Sequence, residues 1–307
     1  MDDSLKYSVI VPVYNSELSL EELYHELESV FRELNLFFEV IFVDDNSHDD
    51  SWQALRTLKK AYPECIRIVR LARNYGQHNA TLCGFSFANG ERIITIDDDL
   101  QNPPSEIIKL HEAAEQTEAD VVYGVYRTKK HSLLRNIGSQ FLKHSAGLIH
   151  RSTGNGSSFR LIRRELMLKL LNHVQHFIFL DEVLQWYTDD IMFVEVEHHP
   201  RKYNKSGYSS RKLFRVMSNI LFQYTTLPLK LLVYGGLIGS LITFAMVVYY
   251  LVLKLCFDVP LGYTSLIVSI LFSTSIILFS LGIIGDYLRR IYLVQNKKPP
   301  YSIKKVF

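Results

Sequence analysis

The sequence predicts an α/β fold, a mainly parallel sheet flanked by helices, and three observations carry that prediction. Short Val- and Ile-rich runs alternate with helical segments over the first 125 residues, the pattern of strands joined by crossover helices and covered on both faces. Three of the runs end in polar or acidic residues, at Tyr14-Asn15, Asp44-Asp45 and Asp97-Asp98-Asp99, and open α/β sheets bind ligands beyond the carboxyl ends of their strands. The last third of the chain differs in kind: Leu231–Leu253 and Val259–Gly285 contain no charged residue.

Taken in order, strands are predicted at Tyr7–Val13, Glu39–Asp44, Ile66–Leu71, Arg92–Ile96 and Asp120–Gly124, with helices near 17–35, 50–61, 77–89 and 104–116. Each strand is a short apolar run bounded by turn residues. A dinucleotide-binding turn would place G-x-G-x-x-G after the first strand, where Pro12-Val13-Tyr14-Asn15 stands instead, so that class is excluded. Residues 126–200 read as a basic helical stretch, a polar loop and a strand-like Ser157–Ile162. From Ser209 to Leu227, Leu213, Met217, Ile220, Leu221, Tyr224 and Leu227 recur at helical spacing behind Arg211, Lys212 and Arg215. That pattern suits a helix lying on anionic headgroups and equally one packed on the globular domain.

The two uncharged runs are flanked by Lys230, Lys254 and Asp286, and a membrane span needs roughly 20 apolar residues. We expect a two-helix transmembrane hairpin, with spans about 231–253 and 263–285 joined near Pro260 and Gly262. Arg211, Lys212, Arg215 and Lys230 precede it, and Arg289, Arg290, Lys297, Lys298, Lys304 and Lys305 follow it. Basic flanks place both ends in the cytoplasm of a cytoplasmic (inner) membrane protein. The domain reading is a cytoplasmic α/β domain over 1–208, a juxtamembrane helix over 209–228, the hairpin over 229–290 and a tail over 291–307. The acidic start Met1-Asp2-Asp3-Ser4 is no signal peptide. Three widely spaced cysteines fit neither a zinc site nor a disulfide framework. A balance of 34 basic against 32 acidic residues argues against nucleic acid as a partner.

Three adjacent carboxylates repel one another unless a cation joins them, and hard oxygen ligands suit magnesium or manganese. An acidic turn capping a helix near Pro103 would give the same local pattern. Tyr14-Asn15 and Asp44-Asp45 on neighbouring strand ends point instead to a nucleotide pocket.

The segments Ser8-Val9-Ile10-Val11-Pro12-Val13-Tyr14-Asn15, Val43-Asp44-Asp45-Asn46-Ser47 and Asp97-x-Asp99-Leu100-Gln101-x-Pro103-Pro104 resemble family 2 glycosyltransferases of GT-A fold. Their order and spacing are most similar to the polyisoprenyl-phosphate glycosyltransferases, including dolichol-phosphate mannose synthases and bactoprenol glucosyltransferases. Val122-Tyr123-Gly124-Val125, Ser158-Phe159-Arg160-Leu161 and Leu281-Gly282-Ile283-Ile284-Gly285-Asp286-Tyr287-Leu288 extend the likeness. The resemblance implies that Pro12, Tyr14, Asn15, Glu17 and Asp45, with Asp97, meet the donor nucleotide, and that Asp97, Asp99 and Gln101 hold the divalent ion. It implies phosphate binding by Arg135, Ser139 and Arg201, with Asp99, Arg135 and Arg201 acting in catalysis and Arg127 and Lys130 nearby as supplementary groups.

Asp98 alternates away from its neighbours on an extended chain and is left out of this set. Many relatives carry Asp where this chain has Ser158; a lipid monophosphate needs no base, because its second pKa is near 6. The function implied is inverting transfer of a sugar from a nucleotide sugar, UDP-glucose as first choice, to polyprenyl phosphate, in particular undecaprenyl phosphate. A homotetramer and a lipid-linked-sugar flippase are the implied protein partners. The alternatives are a glycosyltransferase using a sugar-hydroxyl acceptor, with Asp181 or Glu182 as base, and a non-catalytic membrane scaffold that binds nucleotide sugar. His198-His199 is read as framing the substrate loop, and no histidine is given a catalytic role.

Overall fold

The computed structural model describes residues 6–126, 157–172, 179–200, 202–203 and 299–307, the helix 263–295 in part of its side chains, and scattered positions from 234 to 262. Its order is β1 (Tyr7–Val13), α1 (Leu20–Leu34), β2 (Phe38–Asp44), α2 (Ser51–Ala61), β3 (Ile66–Leu71), α3 (Gln77–Phe85) and β4 (Arg92–Thr95). A 3-10 turn (Pro104–Glu106) leads into α4 (Ile107–Thr117) and β5 (Val121–Val125), and then come β6 (Arg160–Arg163), α5 (Arg164–Leu171), α6 (Leu180–Gln185), β7 (Ile191–Glu195), α7 (Tyr263–Gln295) and β8 (Ile303–Val306). The described residues fall into two units, one holding the sheet and one holding α7.

The eight strands of the described residues join one sheet in the order β7-β5-β6-β4-β1-β2-β3-β8. β1 is central and buried along its whole length, as a strand covered by helices on both faces must be. The helices cover it through apolar stripes: α1 buries Leu20, Leu23, Tyr24, Leu27, Val30 and Phe31, the spacing of a single helical face. On the other face α3 comes unusually near, because a Cβ on Gly84 would lie 2.3 Å from Ile10 Cγ2. The predicted extension of α3 to residue 89 does not occur. The chain turns instead to bring Asn89 and Gly90 against β1, where both backbone N–H groups donate to Ser8 Oγ.

β1, β2, β3 and β4 pair in parallel, as do β5 and β7. β6 inserts antiparallel between β4 and β5, and β8 adds antiparallel to β3. The sheet is therefore mostly parallel but mixed. Sequence reading missed β7, and also β8, a four-residue strand whose Lys304 and Lys305 are typical of a charged sheet edge. Phe307 continues the pairing, exchanging both backbone hydrogen bonds with Ile68 at 2.9 Å, and its ring lies 6.1 Å from that of Trp52.

α7 spans the second predicted membrane segment as a continuous helix, and its described apolar side chains include exposed Leu266, Ile270, Ile277, Phe279 and Leu281. Among the described residues, no helix is long and apolar enough to cross a membrane. The predicted juxtamembrane helix 209–228 and most of the first span, 231–253, lie outside the described residues.

Candidate active site

Because β1, β2 and β4 are parallel neighbours, their C-terminal ends share one edge of the sheet. Just past each end a residue takes the left-handed conformation: Asn15 (φ 55°), Asn46 (φ 59°) and Leu100 (φ 58°). Asn accepts that region with little strain. A leucine there costs about 1–3 kcal/mol, and burial of its side chain in the core offsets the cost. The strained turn folds the chain back after Asp99, whose Oδ1 accepts the backbone N–H of Gln101 at 3.1 Å.

The loops after β1 and β2 are stitched together. Asn15 donates its backbone N–H to Ser47 Oγ (3.0 Å) and accepts that of His48 on Oδ1 (2.8 Å), while Glu17 Oε2 accepts the backbone N–H of Asp50 (3.0 Å). Pro12 is buried in β1 opposite Val43, and the 40% exposed Tyr14 ring stands edge-on to His48. The two oxygens of Asp45 accept the backbone N–H groups of Tyr75 (2.7 Å) and Gly76 (2.8 Å), fixing the loop that enters α3. Asp98 contributes more than the alternation argument gave it. Its Oδ2 accepts the backbone N–H of Tyr14 at 3.1 Å, tying the third strand end to the first, and burial pushes its carboxyl up to about 7.

Asp97, Asp99 and Gln101 thus lie on one loop. Asp99 is 9% exposed. Gln101 is steadied from the segment after β7: His199 donates its backbone N–H to Gln101 O at 2.8 Å, and His198 Nε2 lies 3.3 Å from Gln101 Nε2. Among the described residues no group of three or more His, Cys, Asp or Glu side chains is placed to hold a metal ion by itself. Two carboxylates and an amide oxygen nevertheless fit magnesium or manganese, which take one or two protein carboxylates and complete their shell with substrate phosphates and water.

Behind this loop lies a polar cluster that sequence reading did not assemble. Asp97 Oδ1 accepts from Gln77 Nε2 (2.5 Å) and its Oδ2 from Ser158 Oγ (2.6 Å). Thr95, Arg160 and Tyr123 face one another across β4, β6 and β5. Arg160, 2% exposed, donates Nε to Thr95 Oγ1 (3.1 Å) and pairs through Nη1 with Asp181 Oδ1 (2.5 Å); Tyr123 also donates its hydroxyl to Asp181 (3.0 Å). Although burial opposes it, the Asp181 charge holds the Arg160 pKa above its usual value. Glu182 is raised above the usual carboxylate range by partial burial and then by Asp181. Gly76, at φ 91° before Gln77, is a cue the sequence offered and the reading passed over: a glycine in Asn74-Tyr75-Gly76-Gln77 ahead of a helix.

Arg127, Lys130, Arg135, Ser139 and Arg201, the groups expected to meet phosphate, lie outside the described residues.

Residues 8–185 match the sequence profile of Glycosyl transferase family 2. Over 98% of this chain, and 93% of its own length, an undecaprenyl-phosphate 4-deoxy-4-formamido-L-arabinose transferase of Klebsiella pneumoniae (strain 342) is 33% identical. A protein of the same description from Pseudomonas aeruginosa (strain LESB58) is 34% identical over 97% of this chain and 89% of its own. The mannosyl-3-phosphoglycerate synthase of Rubrobacter xylanophilus superposes with a TM-score of 0.51 at 15% identity, covering 72% of this chain and 75% of that one. That likeness is one of fold.

Proposed function

The chain belongs to Glycosyl transferase family 2, and from that premise we propose that it transfers a sugar from a nucleotide sugar to undecaprenyl phosphate at a membrane surface. One observation carries the choice of acceptor. Of the two carboxylates considered as base for a sugar hydroxyl, Asp181 is committed to buried Arg160 and to Tyr123, and Ser158 stands where many family members carry an Asp. An acceptor that arrives already ionised fits such a site. The second pKa of a phosphate monoester is near 6, so its oxygen is a nucleophile at neutral pH without a general base.

In this reading a phosphate oxygen forms a bond to the anomeric carbon from the side opposite the leaving group. The bond from that carbon to the β-phosphate oxygen breaks, its electron pair leaves with the nucleoside diphosphate, and the configuration inverts. Tyr14, Asn15, Glu17 and Asp45, on the stitched β1 and β2 loops, frame the nucleoside. Asp97, Asp99 and Gln101 would hold a divalent ion, which when bound supplies charge neutralisation to the departing diphosphate. Arg135, Ser139 and Arg201 bind phosphate in this proposal, by resemblance.

The first choice of glucose as the sugar gives way to 4-deoxy-4-formamido-L-arabinose, carried by UDP, because near-full-length relatives at 33–34% identity are named for that sugar. Membrane attachment through the hairpin is part of the proposal. Its support is the uncharged run Val259–Gly285 and a lipid phosphate as acceptor. The chain after α7 returns to the sheet as β8, so any crossings between residues 203 and 299 are even in number, in keeping with both ends on one side.

Purified full-length protein in detergent, given magnesium or manganese, undecaprenyl phosphate and a panel of UDP-, GDP- and dTDP-sugars, tests the proposal. It predicts release of UDP and a lipid-phosphate sugar with the formamido-pentose donor. Release that needs a glycan hydroxyl and ignores undecaprenyl phosphate would overturn it.

A further inference from the structure

We propose that Ser158 and Thr95 are positioning residues for Asp97: Ser158 aims the carboxylate, and Thr95 transmits to Ser158 the fixed position of the buried Arg160–Asp181 pair. The inference rests on the nucleotide-sugar reading above and goes beyond it, since neither residue is given a role there.

The connection is continuous. Asp181 sits in the first turn of α6 and holds Arg160 Nη1 at 2.5 Å. Arg160 lies opposite Thr95 in the β4–β6 ladder and donates Nε to Thr95 Oγ1 at 3.1 Å. The Thr95 hydroxyl, one of its two lone pairs so occupied, donates its one proton to the backbone carbonyl of Ser158 at 2.5 Å. A hydroxyl has one donor, so the two bonds fix its direction. With its carbonyl pinned, Ser158 presents Oγ to Asp97 Oδ2 at 2.6 Å. The other oxygen of Asp97 accepts from Gln77. Both donors are uncharged, so they orient the carboxylate without an ion pair of their own.

The departure from Asp at position 158 then has a physical meaning. A carboxylate there would repel Asp97 and would need a cation to hold the two together. A hydroxyl holds Asp97 in place before any cation arrives. Thr95 is 2% exposed and has no reach to a ligand, so its influence on the site passes through Ser158. Groups that orient a metal-binding carboxylate from behind typically change metal affinity by about 10–100-fold when removed.

The test reads binding and needs no turnover. Affinity for manganese with UDP is measured on the full-length protein in detergent by the electron paramagnetic resonance signal of free manganese. Tryptophan fluorescence melting controls for folding. Ser158→Ala and Thr95→Val should each weaken manganese–UDP binding by about 10-fold or more, with melting of Ser158→Ala unchanged. Ser158→Thr, which keeps the hydroxyl, should stay within about threefold of wild type. The Ser158→Ala/Thr95→Val double variant should bind no more weakly than Ser158→Ala alone, because residues acting in series are not additive. Wild-type affinity in Ser158→Ala, or losses that multiply in the double variant, would overturn the positioning roles while leaving the proposed function intact. Absence of manganese–UDP binding by the wild-type chain would overturn both.

Discussion

Removing the Asp181 carboxylate separates an anchor from a base. In Asp181→Leu the guanidinium of Arg160, 2% exposed, loses the partner it now holds at 2.5 Å. Breaking a buried pair from one side costs about 3–5 kcal/mol. In a unit of roughly 200 residues each kcal/mol lowers the melting temperature by about 2–4 °C, so the expected fall is about 6–20 °C. Adding Arg160→Met removes the stranded charge, and Tyr123→Phe removes the hydroxyl that also donated to Asp181. Apolar replacement of a buried pair is often neutral or stabilising, so the triple variant should regain most of the loss. The two tryptophans, Trp52 and Trp186, both lie outside α7, so their fluorescence follows unfolding of the sheet-bearing unit in the full-length protein. A single variant that melts within about 2 °C of wild type, or a triple variant that melts no higher than the single, would refute the assignment of the pair.

Glu182→Gln should leave turnover within about threefold, since no proton has to be removed, whereas loss of a general base costs about 10²–10⁴-fold; steady-state kinetics decides. His78, packed edge-on to Phe179 near Asp181 and Arg160, has its pKa lowered by burial to about 4. The unfolded chain takes up that proton near 6.5, so stability is full above that pH and falls as pH drops towards 4, by at most about 3 kcal/mol. Urea midpoints at pH 7 and pH 4.5 should therefore differ less in His78→Leu than in wild type, and equal differences would contradict this. Deleting residues 299–307 removes β8 and the Phe307 contact with Trp52; at about 1 kcal/mol per net hydrogen bond the loss should be about 2–4 kcal/mol, with a shifted Trp52 emission. Unchanged emission and melting would mean that β8 is not paired in solution.

The first five strands were legible because each is a run of buried aliphatics ending in turn chemistry, and the predicted Ile66–Leu71 and Tyr7–Val13 match β3 and β1 to the residue. β6 carried a readable pattern at Ser157–Ile162, but its direction did not: antiparallel insertion between β4 and β5 is a tertiary choice with no local signature. β8 was hidden by Lys304 and Lys305, which suit a solvent-facing edge and read equally well as a charged tail. At the candidate site, the acids Asp97, Asp98 and Asp99 stood out at one strand end, while the narrower set of Asp97, Asp99 and Gln101 came from the family resemblance. Gln77 and Ser158 could not, because they reach Asp97 from 20 and 61 positions away. Asp98, left outside the expected metal set, makes a contact that local alternation does not encode: its carboxylate accepts the Tyr14 backbone N–H from 84 positions away.

The central claim is that a lipid phosphate oxygen, already ionised, attacks the sugar. Undecaprenyl phosphate labelled with 18O in its non-bridging phosphate oxygens tests it most directly, with product and released nucleotide analysed by mass spectrometry and 31P NMR. The account predicts 18O in the bridge between the anomeric carbon and the lipid phosphorus, and none in the nucleoside diphosphate. A bridge oxygen without label, or sugar found on a hydroxyl with the lipid phosphate unmodified, would contradict it.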